Sequence, residues 1–168
     1  MKSKIAEKIK DFRLPEYREL PNVGLYLDQV TKYINSFLAP LGCMEITPSM
    51  VSNYVKKGVI DSPVKKLYYA EQIGYLFFVS IAKNVLTIEN IMKLIERQRK
   101  IYDAETAYTY FCQELQNVLW YICGLKGELE QIGSMKNSEV KMIFRSLIVS
   151  ASHIIFLSSC FDMLNESK

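Results

Sequence analysis

The chain has 168 residues, 49% of them hydrophobic, with seven Gly and five Pro, which excludes a disordered tail and allows one good core or two small modules. Its net charge of +3 is uneven: residues 1–100 hold sixteen Lys/Arg against ten Asp/Glu, and residues 101–168 hold five against eight, as suits a polyanion-binding front half joined to a partner-binding back half. Four cysteines without a Cys-x-x-Cys pair and a single histidine, His153, argue against a metal site and for buried thiols in a reducing cytoplasm, while alternating charges in the first twenty residues argue against a signal peptide.

In chain order, Ile5, Ile9 and Phe12 share one helix face, and the helix stops before Pro15. Residues 1–24 therefore read as a strap on the main body. Leu27, Val30, Ile34, Phe37 and Leu38 recur at three and four, which predicts a helix over 25–38 ended by Pro40 and Gly42. Thr47-Pro48 is then a helix start: threonine can accept a bond from a free N–H, and proline fits the first helical position because its missing donor is not needed there. Gly58 closes that short helix. Val51 and Val55 should face inward with Tyr54 beside them, leaving Ser49, Met50, Asn53, Lys56 and Lys57 outward.

Beyond the corner at Pro63, a helix over 71–84 is expected to bury Ile73, Leu76, Phe77 and Ile81. Another, capped by Thr87 and running to Lys100, carries Ile88, Ile91, Leu94 and Ile95 as its stripe. Two long helices should complete the chain, one over 103–123 with Phe111, Leu115 and Val118 on its face, the other over 138–164. The three-glycine stretch 124–137 joins them. Residues 143–161 approach the length of a membrane span, but Arg145, His153 and five serines interrupt them and no Lys/Arg cluster flanks them. A helix buried on most sides, in the core or at a dimer interface, is the favoured reading, with no membrane. His153 is expected in the core. No strand-period stretch exceeds 64–69.

The order Thr47, Tyr54, Gly58-Val59-Ile60, Pro63, Tyr68 or Tyr69, Glu71-Gln72-Ile73 and Leu86-Thr87-Ile88-Glu89-Asn90-Ile91 resembles the MerR-type helix-turn-helix of bacterial regulators. There, a small polar residue opens the recognition helix, and glycine with two aliphatics closes it. Three departures stand out. The wing between Pro63 and Tyr68 is short and lacks the usual glycine hairpin. Ala70 replaces a frequent capping serine, at a cost of about 1 kcal/mol. The chain between the first helix and Thr47 is long. The C-terminal half also lacks the cysteine-bearing end of the metal-responsive members. The longer frame Leu-Pro-Asn-Val-Gly-Leu-Tyr-Leu-Asp-Gln-Val over 20–30 resembles a family from Gram-positive bacteria catalogued as domain of unknown function 1836.

The expectation is an all-α protein: a strap (1–24), a MerR-like helix-turn-helix domain with a reduced wing (25–100), and a helical dimerisation or effector region (101–168). The resemblance implies a cytoplasmic, DNA-binding transcriptional regulator. A helix in the major groove meets base edges with its N-terminal residues. Asn53 can pair with adenine through two bonds, Ser49 with several bases, and Met50 with a thymine methyl. Thr47 opens that helix, Lys56, Lys57, Lys65 and Lys66 would neutralise phosphates, and Tyr68 and Tyr69 would add backbone contacts. One such helix binds weakly, so a homodimer through the C-terminal helices, reading a palindrome in duplex DNA, is expected. Aromatics among those helices (Tyr102, Tyr108, Tyr110, Phe111, Trp120, Tyr121, Phe156, Phe161) either pack the core or line a site for a small-molecule effector. No catalytic residue, metal ligand or cofactor site stands out. The alternative is a helical protein-interaction module that has lost DNA binding.

Overall fold

A computed structural model of the chain describes residues 1–133, 136 and 138–166; Ser134, Met135 and Asn137 of the 124–137 linker, and the last two residues, lie outside it. The described residues form α1 (Lys2–Ile9), α2 (Leu27–Leu38), α3 (Pro48–Lys56), α4 (Ala70–Ala82), α5 (Ile88–Arg99), α6 (Ala104–Cys123) and α7 (Glu139–Glu166). Short 3-10 turns occupy Tyr17–Glu19 and Ala39–Leu41, and among the described residues no strand occurs beyond two isolated bridges. The fold is all-α, as its periodicities predict.

α4 is the axis of the molecule. Every residue from Gln72 to Ala82 is buried, which only a helix wrapped on all sides can achieve. Phe78 stacks on Phe144 of α7 at 5.0 Å and meets the edge of Phe111 of α6 at 5.5 Å. Phe77 reaches the other way, edge-on to Phe37 and Tyr33 of α2. Such pairs contribute about 0.5–1.5 kcal/mol each beyond their buried area. Gly74 lets the Tyr108 ring of α6 come close, since a Cβ there would lie 3.2 Å from it. One hydrophobic cluster thus runs through the strap, the middle of the chain and the C-terminal helices.

The strap packs where the sequence does not say. α1 buries Ile5 and Ile9 against α6 and α7. The 3-10 turn after it is fixed by Glu19, which accepts the Glu16 N–H at 2.7 Å and both guanidinium nitrogens of Arg13 at 2.8 and 3.3 Å. Those donors hold the Glu19 carboxyl down at about 2.

α7 differs from expectation. It buries one side, through Val140, Phe144, Leu147, Ile148, Ala151, Ser152 and Ile155, and no described residue after Ile155 is buried. By length and composition α7 could cross a membrane; in this structure it packs on α6, α4, α5 and α1. His153 is exposed and not a core residue. Within the α6–α7 contact Glu114 has no exposed surface, with Arg145 Nε 3.2 Å from one oxygen and Asn117 Nδ2 3.5 Å from the other. Burial raises its pKa against the pull of Arg145.

Candidate nucleic-acid interface

α3 is presented by a side chain that imitates a strand. Asn35 of α2 donates to the Ile46 carbonyl at 2.7 Å and accepts the Ile46 N–H at 2.9 Å, fixing the approach to the helix. Lys83 of α4 donates to the Glu45 carbonyl beside it, and burial pulls its ammonium pKa down. These contacts account for the long stretch before Thr47. The Thr47 hydroxyl accepts the Met50 N–H at 3.1 Å, and Pro48 occupies the first turn. At the other end Val59 N–H bonds Tyr54 O at 2.9 Å and Gly58 N–H bonds Val55 O at 3.0 Å. That paired closure needs a left-handed residue, and Gly58 has φ +76°.

Between these stops Val51 and Tyr54 are buried, while Val55 and Met50 are half-buried against the core. Ser49, Ser52, Asn53, Lys56 and Lys57 are exposed. Ser52, which the sequence did not single out, completes a polar face with Ser49, Asn53 and Lys56 at helical spacing. Met50 offers at most part of its side chain.

The corner after α3 is a hairpin. Val64 and Leu67 exchange both backbone bonds, at 3.0 and 2.9 Å, around a two-residue loop of Lys65 and Lys66. Their φ values are +49° and +67°, and among non-glycine residues described only these two are positive. Positive φ at both loop positions is the type I′ requirement, ordinarily met by Asn-Gly, and each non-glycine residue there costs roughly 1–2 kcal/mol. This two-residue hairpin stands where the resemblance expects a wing, without the glycine on which its recognition in sequence depends. Two lysines sit at its tip.

Three elements hold the wing. Leu25 and Tyr68 exchange backbone bonds at 2.9 and 2.8 Å, so the segment entering α2 forms a second short rung. Gly24 makes room for it: a Cβ there would lie 2.5 Å from Leu67 Cβ. From α4, Gln72 donates to the carbonyls of Asp61 and Ser62 at 3.0 and 2.8 Å and accepts the Tyr69 N–H at 2.9 Å. The cap position of α4 is thus Tyr69, not Ala70, and Gln72 satisfies the N–H of that cap residue, the part of a capping box that a serine does not supply. From α5, Arg99 grips Asp61 with two nitrogens at 3.2 and 3.0 Å and lies 4.7 Å over the Tyr75 ring.

Tyr68 is 4% exposed and belongs to the core, so its ring steadies the wing from within. Tyr69 is exposed. Among the described residues no ion pair engages Lys56, Lys57, Lys65 or Lys66, whereas Lys10, Arg13, Arg18 and Arg99 each have an acidic partner. Four solvated cations therefore bracket α3 and its wing with their charge unspent.

Elsewhere the molecule offers less. No group of three or more His, Cys, Asp or Glu among the described residues could hold a metal ion. A groove of about 610 Å³ lies between residues 13–18 and α6, but its Arg13 and Arg18 are matched by Glu19 and Glu16. The C-terminal aromatics do not converge on one pocket: Tyr108, Tyr110 and Phe111 are core residues, Tyr121 and Phe156 line a separate shallow groove, and Phe161 is exposed. Burial in that core pushes the Tyr110 hydroxyl up to about 12.

A family model described as Domain of unknown function (DUF1836) matches residues 15–111, more than half of the chain. No curated protein and no solved structure matches. The matched span runs from the 3-10 turn through α5 into α6; α1, the rest of α6 and α7 lie outside it.

Proposed function

Since the chain belongs to the DUF1836 family, whose description carries no activity, we propose from the interface alone that it is a DNA-binding transcriptional regulator of MerR-like helix-turn-helix type. It acts in the cytoplasm as a dimer on a palindromic site. The observation that carries this reading is the wing: two lysines held at positive φ, at an energetic cost, where Asn-Gly would be relaxed. Strain kept at an exposed, charged loop tip suggests selection for the charge and not for the turn.

Asn53 and Ser49, on the first turns of α3, read base edges, with Ser52 beside them. Lys56, Lys57, Lys65, Lys66 and Tyr69 contact phosphates and set affinity. The role assigned to the chain is recognition, not catalysis, and needs no cofactor. A small-molecule effector, if used, would act through the α6–α7 region.

The test is retention of genomic fragments by purified protein, followed by a salt titration on the best fragment. A shared palindrome is expected. Replacing Lys56 and Lys57 with Ala should weaken binding to all sequences and flatten the salt slope by about two per half-site. Asn53→Ala should instead relax preference at one base pair. Failure to retain any duplex at low ionic strength overturns the proposal.

One observation favours a second reading. Val64 is 59% exposed at the wing, near exposed Val23, Tyr26 and Tyr69. An apolar wing of this kind suits a protein partner, and a stoichiometric partner captured without nucleic acid would select the interaction-module reading.

A further inference from the structure

A small cleft opens where α4 and α6 face each other, and both helices line it with one stripe. On α4 the stripe is Glu71, Gly74, Tyr75 and Phe78; on α6 it is Ala104, Ala107, Tyr108 and Phe111. Each has the spacing of a single helix face. Gly74 and the two alanines keep the rings from closing the gap: a Cβ on Gly74 would lie 3.2 Å from the Tyr108 ring. Phe144 of α7, stacked on Phe78, and Tyr17 of the 3-10 turn, 5.9 Å from Tyr108, complete the walls. Buried Gly74, Phe78, Ala107 and Phe111 make the deep end, while exposed Glu71 and half-buried Tyr17 and Ala104 mark the mouth. The room inside is about 20 Å³, little more than the roughly 10–15 Å³ that one water needs. It admits the tip of a ligand, whose remainder lies in the mouth.

The polar groups of the walls are already engaged. Tyr75 donates its hydroxyl to Gln98 at 2.8 Å, Gln98 donates to the Tyr102 carbonyl at 2.7 Å, and Tyr108 donates to the Pro15 carbonyl at 2.9 Å. These bonds fix the rings before anything enters. A water, which needs about two to four partners, is poorly held there. So is a bare ammonium, whose three N–H donors would find no acceptor. The surrounding charge nevertheless calls for a cation. Glu71, Asp103 and Glu105 form no ion pair among the described residues. Burial, and after it Glu71, Glu105, Tyr75 and Asp103, push the Tyr17 hydroxyl pKa up, so all three carboxylates act on the mouth. Arg18 and Arg99 are matched by Glu16 and Asp61, and Arg99 lies 4.7 Å over the Tyr75 ring, a wall that thus accepts positive charge. We propose that the cleft binds the N-methylated ammonium head of a small organic cation. One methyl fills the apolar deep end, the tyrosine rings attract the charge beside it, and the carboxylates draw it in from the mouth. The site uses no residue of α3 or the wing, so it can fail while DNA binding stands, and the reverse.

The test is done without DNA, on the full chain labelled with carbon-13 at its alanine methyl groups. Titration with choline at constant ionic strength should shift the Ala104 and Ala107 resonances to saturation, while Ala6 and Ala39, which do not line the cleft, stay in place. Two controls separate shape from charge. The uncharged isostere of choline, with a tert-butyl group in place of trimethylammonium, keeps the methyls; ethanolamine keeps the charge and loses them. Each should bind about tenfold more weakly than choline, or worse. Glu71→Gln with Glu105→Gln, two exposed and unpaired positions, should weaken choline roughly three- to tenfold and leave the helical signal in circular dichroism unchanged. Shifts that never saturate or that miss Ala104 and Ala107 overturn the proposal. So does either control binding as well as choline, or an affinity unchanged in the double variant.

Discussion

The wing offers a perturbation whose two readouts should move in opposite directions. Lys65 and Lys66 both occupy the left-handed region, where a side chain costs roughly 1–2 kcal/mol and glycine or asparagine much less. Replacing the pair by Asn-Gly keeps the turn and relaxes it. Allowing for the extra freedom glycine gives the unfolded chain, the variant should gain about 1–2 kcal/mol, or roughly 2–8 °C in Tm for a domain of this size. The same change removes two cations from each half-site, so the slope of log K against log salt should fall by about 1.8 per half-site and about 3.6 for a dimer. Urea denaturation reads the first quantity, and fluorescence anisotropy on a labelled duplex at several salt concentrations reads the second. Lys56→Ala with Lys57→Ala is the control: it removes the same charge from a relaxed helix end and should give the slope change without the stabilisation. A stabilised Asn-Gly variant with an unchanged slope would show that the wing lysines touch no phosphate. An unstabilised one would refute the claim of strain.

Other consequences concern the parts that aim this surface. Gly24→Ala places a Cβ 2.5 Å from Leu67 Cβ, and the overpacking should cost about 1–3 kcal/mol in urea denaturation; an unchanged midpoint would show that the Leu25–Tyr68 rung is loose. Thr47→Ala removes the acceptor for Met50 N–H and should cost about 1 kcal/mol, which a loss below a few tenths would contradict. Glu114 gives a pH test. Its folded pKa is raised above 4.5 by burial, so its contribution to stability is full below that value and is lost as pH rises through the folded pKa. Glu114→Gln should therefore grow more stable relative to wild type with increasing pH, starting near 4.5; parallel stability curves across the acid-to-neutral range would exclude this.

The parts of the interface legible in sequence are those governed by local rules. Thr47-Pro48 and Gly58 specify the two ends of α3 because a cap acceptor, a missing donor and a positive φ are properties of single residues. The polar face of α3 follows from helical spacing. The wing was legible only as a corner, because Lys-Lys carries no turn signal and its backbone pairing is imposed from a distance. Gly24 reads as one glycine in a loop until Leu67 is placed against it. Tyr68 and Tyr69 are equivalent in sequence, yet one is core and the other solvent-facing, since the rung to Leu25 fixes which side each takes. His153 looks buried inside an apolar run, but the run is one-sided: the buried residues of α7 lie on one face, and His153 is exposed on the other.

Arg99 tests whether the wing is aimed from the C-terminal region. It closes α5, immediately before the turn into α6, and reaches back to Asp61 between α3 and the wing, 38 positions away. Both partners are partly exposed, so the ion pair itself is worth no more than about 1 kcal/mol. The contact over Tyr75 adds about 0.5–1 kcal/mol. Arg99→Ala should thus lower stability by about 1–2 kcal/mol while weakening DNA binding through a less ordered wing. Because no phosphate contact is lost in that account, the salt slope should stay as in wild type and only the intercept should drop. Arg99→Lys keeps the charge without the two-pronged grip and the stacked plane, so it should resemble Arg99→Ala and not wild type. A slope reduced by about one in Arg99→Ala and restored in Arg99→Lys would mean that Arg99 touches DNA directly. The link from α5 to the wing would then be incidental.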